Sequence, residues 1–165
     1  MNKKLLYFFL IAPLLTYCNL SEQQRFDESS RKNTVAVRGW NILSDNESKA
    51  IRAIEAAAEY DINHLQLSHQ IIMDLRHVRN ASRRGLASRL AKRAHEVGIK
   101  EVVVWDHALY DLDYYPDEFK TGPDSTINLD NPAFWQWFKA DYRDMLDRIP
   151  EIDGIVLTFI ETGAH

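Results

Sequence analysis

Apolar positions along this chain fall into two alternating rhythms. "TVAVRGWNI", "NHLQLSH", "KEVVVWDHAL" and "GIVLTFIE" are short runs dense in Val, Ile, Leu and aromatic residues, the make-up of buried or half-buried strands. The stretches between them carry apolar residues three and four apart. In "SDNESKAIRAIEAAAEYD" these are Ala50, Ile51, Ile54, Ala57 and Ala58, with Ser44 and Glu47 at capping-box spacing. In "ASRRGLASRLAKRAHEVG" they are Leu86, Leu90, Ala94 and Val97, with Gly98 as the stop. "NPAFWQWFKADYRDMLDRIP" has Pro132 in its first turn and ends at Pro150. The pattern predicts Val35–Trp40, His64–Ser68, Glu101–Trp105 and Ile155–Ile160 as adjacent parallel strands in chain order, joined by helices. The third is β-branched and unbroken enough to be buried on both sides.

Two α/β architectures fit this alternation, a doubly wound open sheet and a TIM barrel. The nucleotide-binding form of the open sheet needs a Gly-rich turn after its first strand, and "RGWNILSDN" does not supply one. Every predicted strand also ends in polar or aromatic groups, which favours the barrel, whose sites lie at the C-terminal ends of its strands. The fold class expected is therefore α/β with parallel βα repeats, a partial (half) TIM barrel over residues 34–165.

Residues 1–33 stand apart from that alternation. Basic "MNKK" precedes the apolar "LLYFFLIAPLL", and the run is short for a membrane span and interrupted by Pro13. Residues 1–18 read as an export signal. Cys18, the only cysteine, sits where a bacterial lipobox places its lipid acceptor, with Leu15 three residues upstream and Tyr17 where that pattern takes a small residue. The alternative is an unmodified cysteine at the end of a signal cleaved elsewhere. "NLSEQQRFDESSRKN" is polar and aperiodic, so 19–33 is expected to be a flexible tether.

Composition narrows the partners. The chain is 45% hydrophobic and 11% aromatic, which is globular. A single cysteine excludes an intrachain disulfide. Cleavage before Cys18 would remove Lys3 and Lys4 and take the formal charge from −4 to −6, which leaves little to neutralise phosphates and argues against nucleic acid. The expected location is the bacterial cell envelope, with a lipid anchor to the membrane.

The strand ends supply the candidate chemistry: Trp40 and Asn41, then His69, then Trp105, Asp106 and His107, and last Glu161. Each has a plain structural alternative, as a cap, a loop residue or part of the core. Their recurrence over four strands is what points to one site. Glu161 follows the apolar run Ile155–Ile160, and a carboxylate delivered from such a run to a rim suits a general acid. The long loop "YDLDYYPDEFKTGPDSTINLD" carries Tyr110, Tyr114, Tyr115 and Phe119 among acidic residues. Aromatic faces beside carboxylates suit sugars; the alternative is an acidic loop that its tyrosines pack down. Its carboxylate spacing does not match an EF-hand.

"INLDNPAFWQWFKADYRDMLDRIPEIDGIVLTFIETGA" resembles the third-helix and fourth-strand region of TIM-barrel glycoside hydrolases, and is most similar to the α-glucuronidases and their hexosaminidase-like relatives. In that region a helix opened by Asn/Asp-Pro ends in Ile-Pro, and after an Asp/Gly turn the next strand delivers a glutamate. The resemblance covers about the last forty residues closely and implies a glycoside hydrolase with a carbohydrate substrate, no cofactor and no metal. It makes Glu161 the catalytic or sugar-binding carboxylate, with Trp40, Asn41, His69, Trp105, Asp106 and His107 as substrate-binding residues. Those relatives usually have an extra α+β domain before the barrel, whereas here the first strand follows the tether directly. A barrel needs eight strands and glycoside hydrolysis two carboxylates. The expectation is a front half whose partner carboxylate comes from a later strand, inactive as an isolated chain. Two other functions stay open: a non-catalytic carbohydrate-binding lipoprotein, and a metal-dependent hydrolase using His69, Asp106, His107 and Glu161. The latter lacks a His-x-His at the first strand and any zinc-protease motif.

Overall fold

Three helices gather on one face of a four-stranded parallel sheet in a computed structural model that describes residues 35–123 and 126–158. Cys18 and Glu161 lie outside the described residues. The chain divides after Ala36 into two units, and the second carries the sheet. Its strands are β1 (Gly39–Ile42), β2 (His64–Leu67), β3 (Glu101–Asp106) and β6 (Gly154–Leu157), hydrogen-bonded in that order and parallel throughout. This is the expected neighbour order. Between β3 and β6, β4 (Lys120–Thr121) and β5 (Thr126–Ile127) form a small antiparallel ribbon.

Successive residues of a strand point to opposite faces, and register carries each face across the sheet. Ile42, Leu65, Leu67, Val102, Val104 and Ile155 face the helices α1 (Glu47–Glu59), α2 (Ala81–Glu96) and α3 (Pro132–Asp147). Ala50 and Ile54, Leu90 and Ala94, and Met145 close over them in one apolar cluster. Each large side chain fully buried there contributes roughly 1.5–3 kcal/mol. The opposite face carries Asn41, Gln66, Val103, Trp105 and Val156, takes no part in that cluster and, among the described residues, bears no helix. Val103 is nevertheless buried at 4% exposure, so β3 is covered on both sides as its β-branched run predicts. β1 and β6 each have one neighbour, so the described sheet is open and does not form a closed barrel.

The first strand begins four residues later than its composition suggests. Val35 and Val37 are exposed, and the register with β2 opens at Gly39, opposite His64. Pairing starts where the Arg38 amide donates to Asn63 Oδ1 at 2.8 Å and the Arg38 carbonyl accepts from the amides of Asn63 and His64. The cap of α1 also moves. Asn46, not Ser44, accepts from the Lys49 amide at 3.0 Å, while Ser44 Oγ takes the Asn46 amide in a local turn. Both residue types cap helices, and the one nearer the helix does so here. At the end of α2 the expectation holds in detail. Gly98 has φ 95°, and the Gly98 and Ile99 amides return to the carbonyls of His95 and Ala94, the paired closure that a left-handed residue permits.

Candidate functional site

The C-terminal ends of β2 and β3 bring four aromatic rings together. β2 extends one residue further, since the Ser68 amide still donates to the Ile42 carbonyl at 3.2 Å. His69 then turns into the left-handed region at φ 46°, which histidine tolerates better than most residues. Its ring lies 4.2 Å from that of Trp105, which rises half-buried from the helix-free face of β3. His107 lies 5.2 Å from Trp105 and 6.5 Å from His69. Tyr110, half exposed, extends the array 5.9 Å beyond His107.

Hydrogen bonds fix His107 and the backbone between it and Tyr110. His107 Nδ1 lies 2.7 Å from the Met73 carbonyl. A carbonyl only accepts, so Nδ1 carries a proton and the neutral ring holds its lone pair on Nε2. Leu109, between His107 and Tyr110, has φ 64°, a conformation costly for a leucine. Its amide donates to the Tyr115 hydroxyl at 2.9 Å. Burial pushes the Tyr115 hydroxyl up to about 12, so it stays protonated. Left-handed residues thus flank the rings on both chain segments, a placement common at binding sites.

The carboxylates at the same end of the sheet are engaged elsewhere. Asp106 follows Val102 and Val104 on the helix side and is 3% exposed. One oxygen accepts from the Leu75 amide at 2.9 Å and the other from the Tyr142 hydroxyl of α3. Burial and the Asp106 charge hold the Tyr142 hydroxyl well above its usual range, so it remains a donor. Asp74 caps the 3-10 turn Leu75–Arg79, accepting from the Arg76 amide at 3.0 Å. This turn, which has no apolar period to announce it, joins the two aspartates.

Burial, and secondarily the charge of Asp106, raises the Asp74 carboxyl above its ordinary 3.8, against the pull of Arg76 and His107. A group raised in the folded state contributes stability that is complete below 3.8 and is lost as pH rises through its folded value. Asp74→Asn keeps an acceptor for the Arg76 amide and has no charge to bury. Denaturant titrations from acid to neutral pH should therefore show the wild type losing ground to Asp74→Asn as pH rises. Parallel pH profiles for the two would contradict this.

The long loop is largely packed down. Tyr115 and Phe119 are buried against Phe134 of α3, with Tyr114, Trp137 and Phe138 beside them. Tyr114 also lies between Arg76 and Arg79, whose guanidinium carbons are 5.4 and 5.9 Å from its ring centre, and its hydroxyl donates to Asp141 at 2.6 Å. Of the four loop aromatics singled out in the sequence, Tyr110 alone reaches the ring array; the other three serve packing.

The predicted site residues thus separate. His69, Trp105 and His107 converge. Asp106 lies beneath them on the helix side, and Trp40 packs on Tyr60 at 5.7 Å, on that same side, since it is in register with Leu65. Asn41 occupies the helix-free face in the same row as Gln66. Among the described residues no three His, Cys, Asp or Glu side chains form a group able to hold a metal ion. A scan against protein-family models and searches of curated proteins and of solved structures find no match to this chain.

Proposed function

We propose that this chain binds carbohydrate at the C-terminal ends of β2 and β3, as part of a glycoside-hydrolase site built on barrel-type winding. The observation that carries the reading is the array of His69, Trp105, His107 and Tyr110 on the helix-free side of a parallel sheet. Ring faces of this kind stack on the C–H faces of sugars, while histidine nitrogens and a tyrosine hydroxyl meet their hydroxyls. Among the described residues the helices lie on one face only, which also favours the front half of a barrel, because a doubly wound sheet carries them on both.

In this reading Glu161 is the general acid, three residues beyond Thr158 where β6 runs out. Glu161→Gln is expected to lower hydrolysis of a bound oligosaccharide by about 10²–10⁴-fold and to leave its binding intact. Equal hydrolysis by both forms would remove Glu161 from that role. A second reading, a non-catalytic carbohydrate-binding protein, is favoured by one observation. Asp74 and Asp106, the two buried carboxylates among the described residues, are both engaged with the 3-10 turn. Binding without any hydrolysis would decide for it.

The same proposal takes Cys18 as a lipid-bearing mature N-terminus that holds the site at a bacterial envelope membrane, on the strength of the basic, apolar, Cys-ended order of residues 1–18. Fatty-acid label should enter the wild type and not Cys18→Ala. Equal labelling would show that Cys18 is not the acceptor.

A further inference from the structure

Two polar atoms on the helix-free face are buried without a hydrogen-bond partner among the described residues: Gln66 Nε2 and Ser68 Oγ. Ser68 is 1% exposed. An unsatisfied buried amide or hydroxyl costs about 1–3 kcal/mol, so each such group calls for a reason. Backbone geometry gives none. Ser68 already continues the ladder through its amide, and an alanine there would do the same without the penalty. Gln66 lies between Leu65 and Leu67, both buried in the helix-side core, so its side chain points the other way. An apolar residue at its place would pack against Val103, its neighbour in register.

Position supplies the reason. Strand alternation puts Ser68 two residues beyond Gln66 on the same face, and Trp105 two beyond Val103. The two orphaned atoms therefore form a floor beside the indole against which the His69 ring lies. An amide N–H that lacks an acceptor and a hydroxyl that can both donate and accept match vicinal sugar hydroxyls. Neither group carries charge, so the floor suits a neutral sugar over a uronate.

We infer that Gln66 and Ser68 form the polar floor of a subsite for a neutral sugar ring stacked on Trp105. This rests on the carbohydrate reading above and adds the residues that would read the hydroxyls. A site that hydrogen-bonds a ligand loses affinity sharply when the bonding group is removed on either side.

The test uses the full chain, with cellotetraose, xylotetraose and mannotetraose titrated by calorimetry against wild type, Ser68→Ala, Gln66→Met and Trp105→Ala, and melting temperatures taken in parallel. At least one of the three is expected to bind. Ser68→Ala and Gln66→Met should each weaken that binding about tenfold or more while melting at or above the wild-type temperature. Undiminished affinity in both, with binding lost in Trp105→Ala, would overturn the inference and leave the carbohydrate reading standing. A marked fall in melting temperature in both would show that the two atoms have partners inside the protein, and would also overturn it. Failure of the wild type to bind any of the three would overturn both together.

Discussion

Asp106→Ala should lower the stability of the fold by about 3–5 kcal/mol, the range for breaking up a buried, hydrogen-bonded charge. Both oxygens of this carboxylate are engaged inside the protein, one by the Leu75 amide and the other by the Tyr142 hydroxyl. It thereby ties the end of β3 to the 3-10 turn and to α3. Alanine would leave two buried donors unpaired and a small cavity. Asp106→Asn should cost far less, because an amide oxygen can still accept from Leu75 and the Tyr142 hydroxyl can turn to accept from the amide nitrogen. Chemical denaturation of the three forms would decide. If Asp106→Ala were as stable as the wild type, the network would not be holding these elements together.

Trp105→Ala should weaken oligosaccharide binding by about thirtyfold, corresponding to roughly 2 kcal/mol for loss of a central aromatic anchor. Trp105→Phe keeps a ring face and should retain most of the affinity. The ring is half-buried between His69 and His107, so circular dichroism must first show that both variants fold. Removing Trp40 should change little, because it faces the helix side beside Tyr60. If Trp40→Ala were the damaging change and Trp105→Ala the silent one, the binding surface would lie elsewhere.

Much of the sheet is legible in the sequence, because a period of two and a period of about 3.6 alternate cleanly. The errors have physical causes. "VAV" has strand composition, but composition does not set where a register opens, and with β2 it opens at Gly39 opposite His64. Ser44 and Asn46 are both capping residues, and spacing does not rank them. The turn Leu75–Arg79 shows no period, so the sequence does not announce that it would engage two aspartates. Alternation along "VVVWD" does separate Trp105 from Asp106: if Val102 and Val104 face the helices, so does Asp106, and Trp105 must face away. The same alternation in "HLQLS" sets Gln66 and Ser68 against Leu65 and Leu67. The loop aromatics are harder, since tyrosines that pack and tyrosines that bind look alike in composition. Phe134, Trp137 and Phe138, spaced three and four apart on α3, were the available sign that the loop would be drawn down.

The proposed function puts carbohydrate at the C-terminal ends of β2 and β3, on the face where Trp105 stands. The four tryptophan indole N–H groups report on it separately in a nitrogen-15 NMR titration with the tetrasaccharides. The Trp105 signal should shift on binding, while those of Trp40, Trp135 and Trp137 stay in place. A titration in which Trp105 does not move, or in which Trp40 moves instead, would contradict the claim.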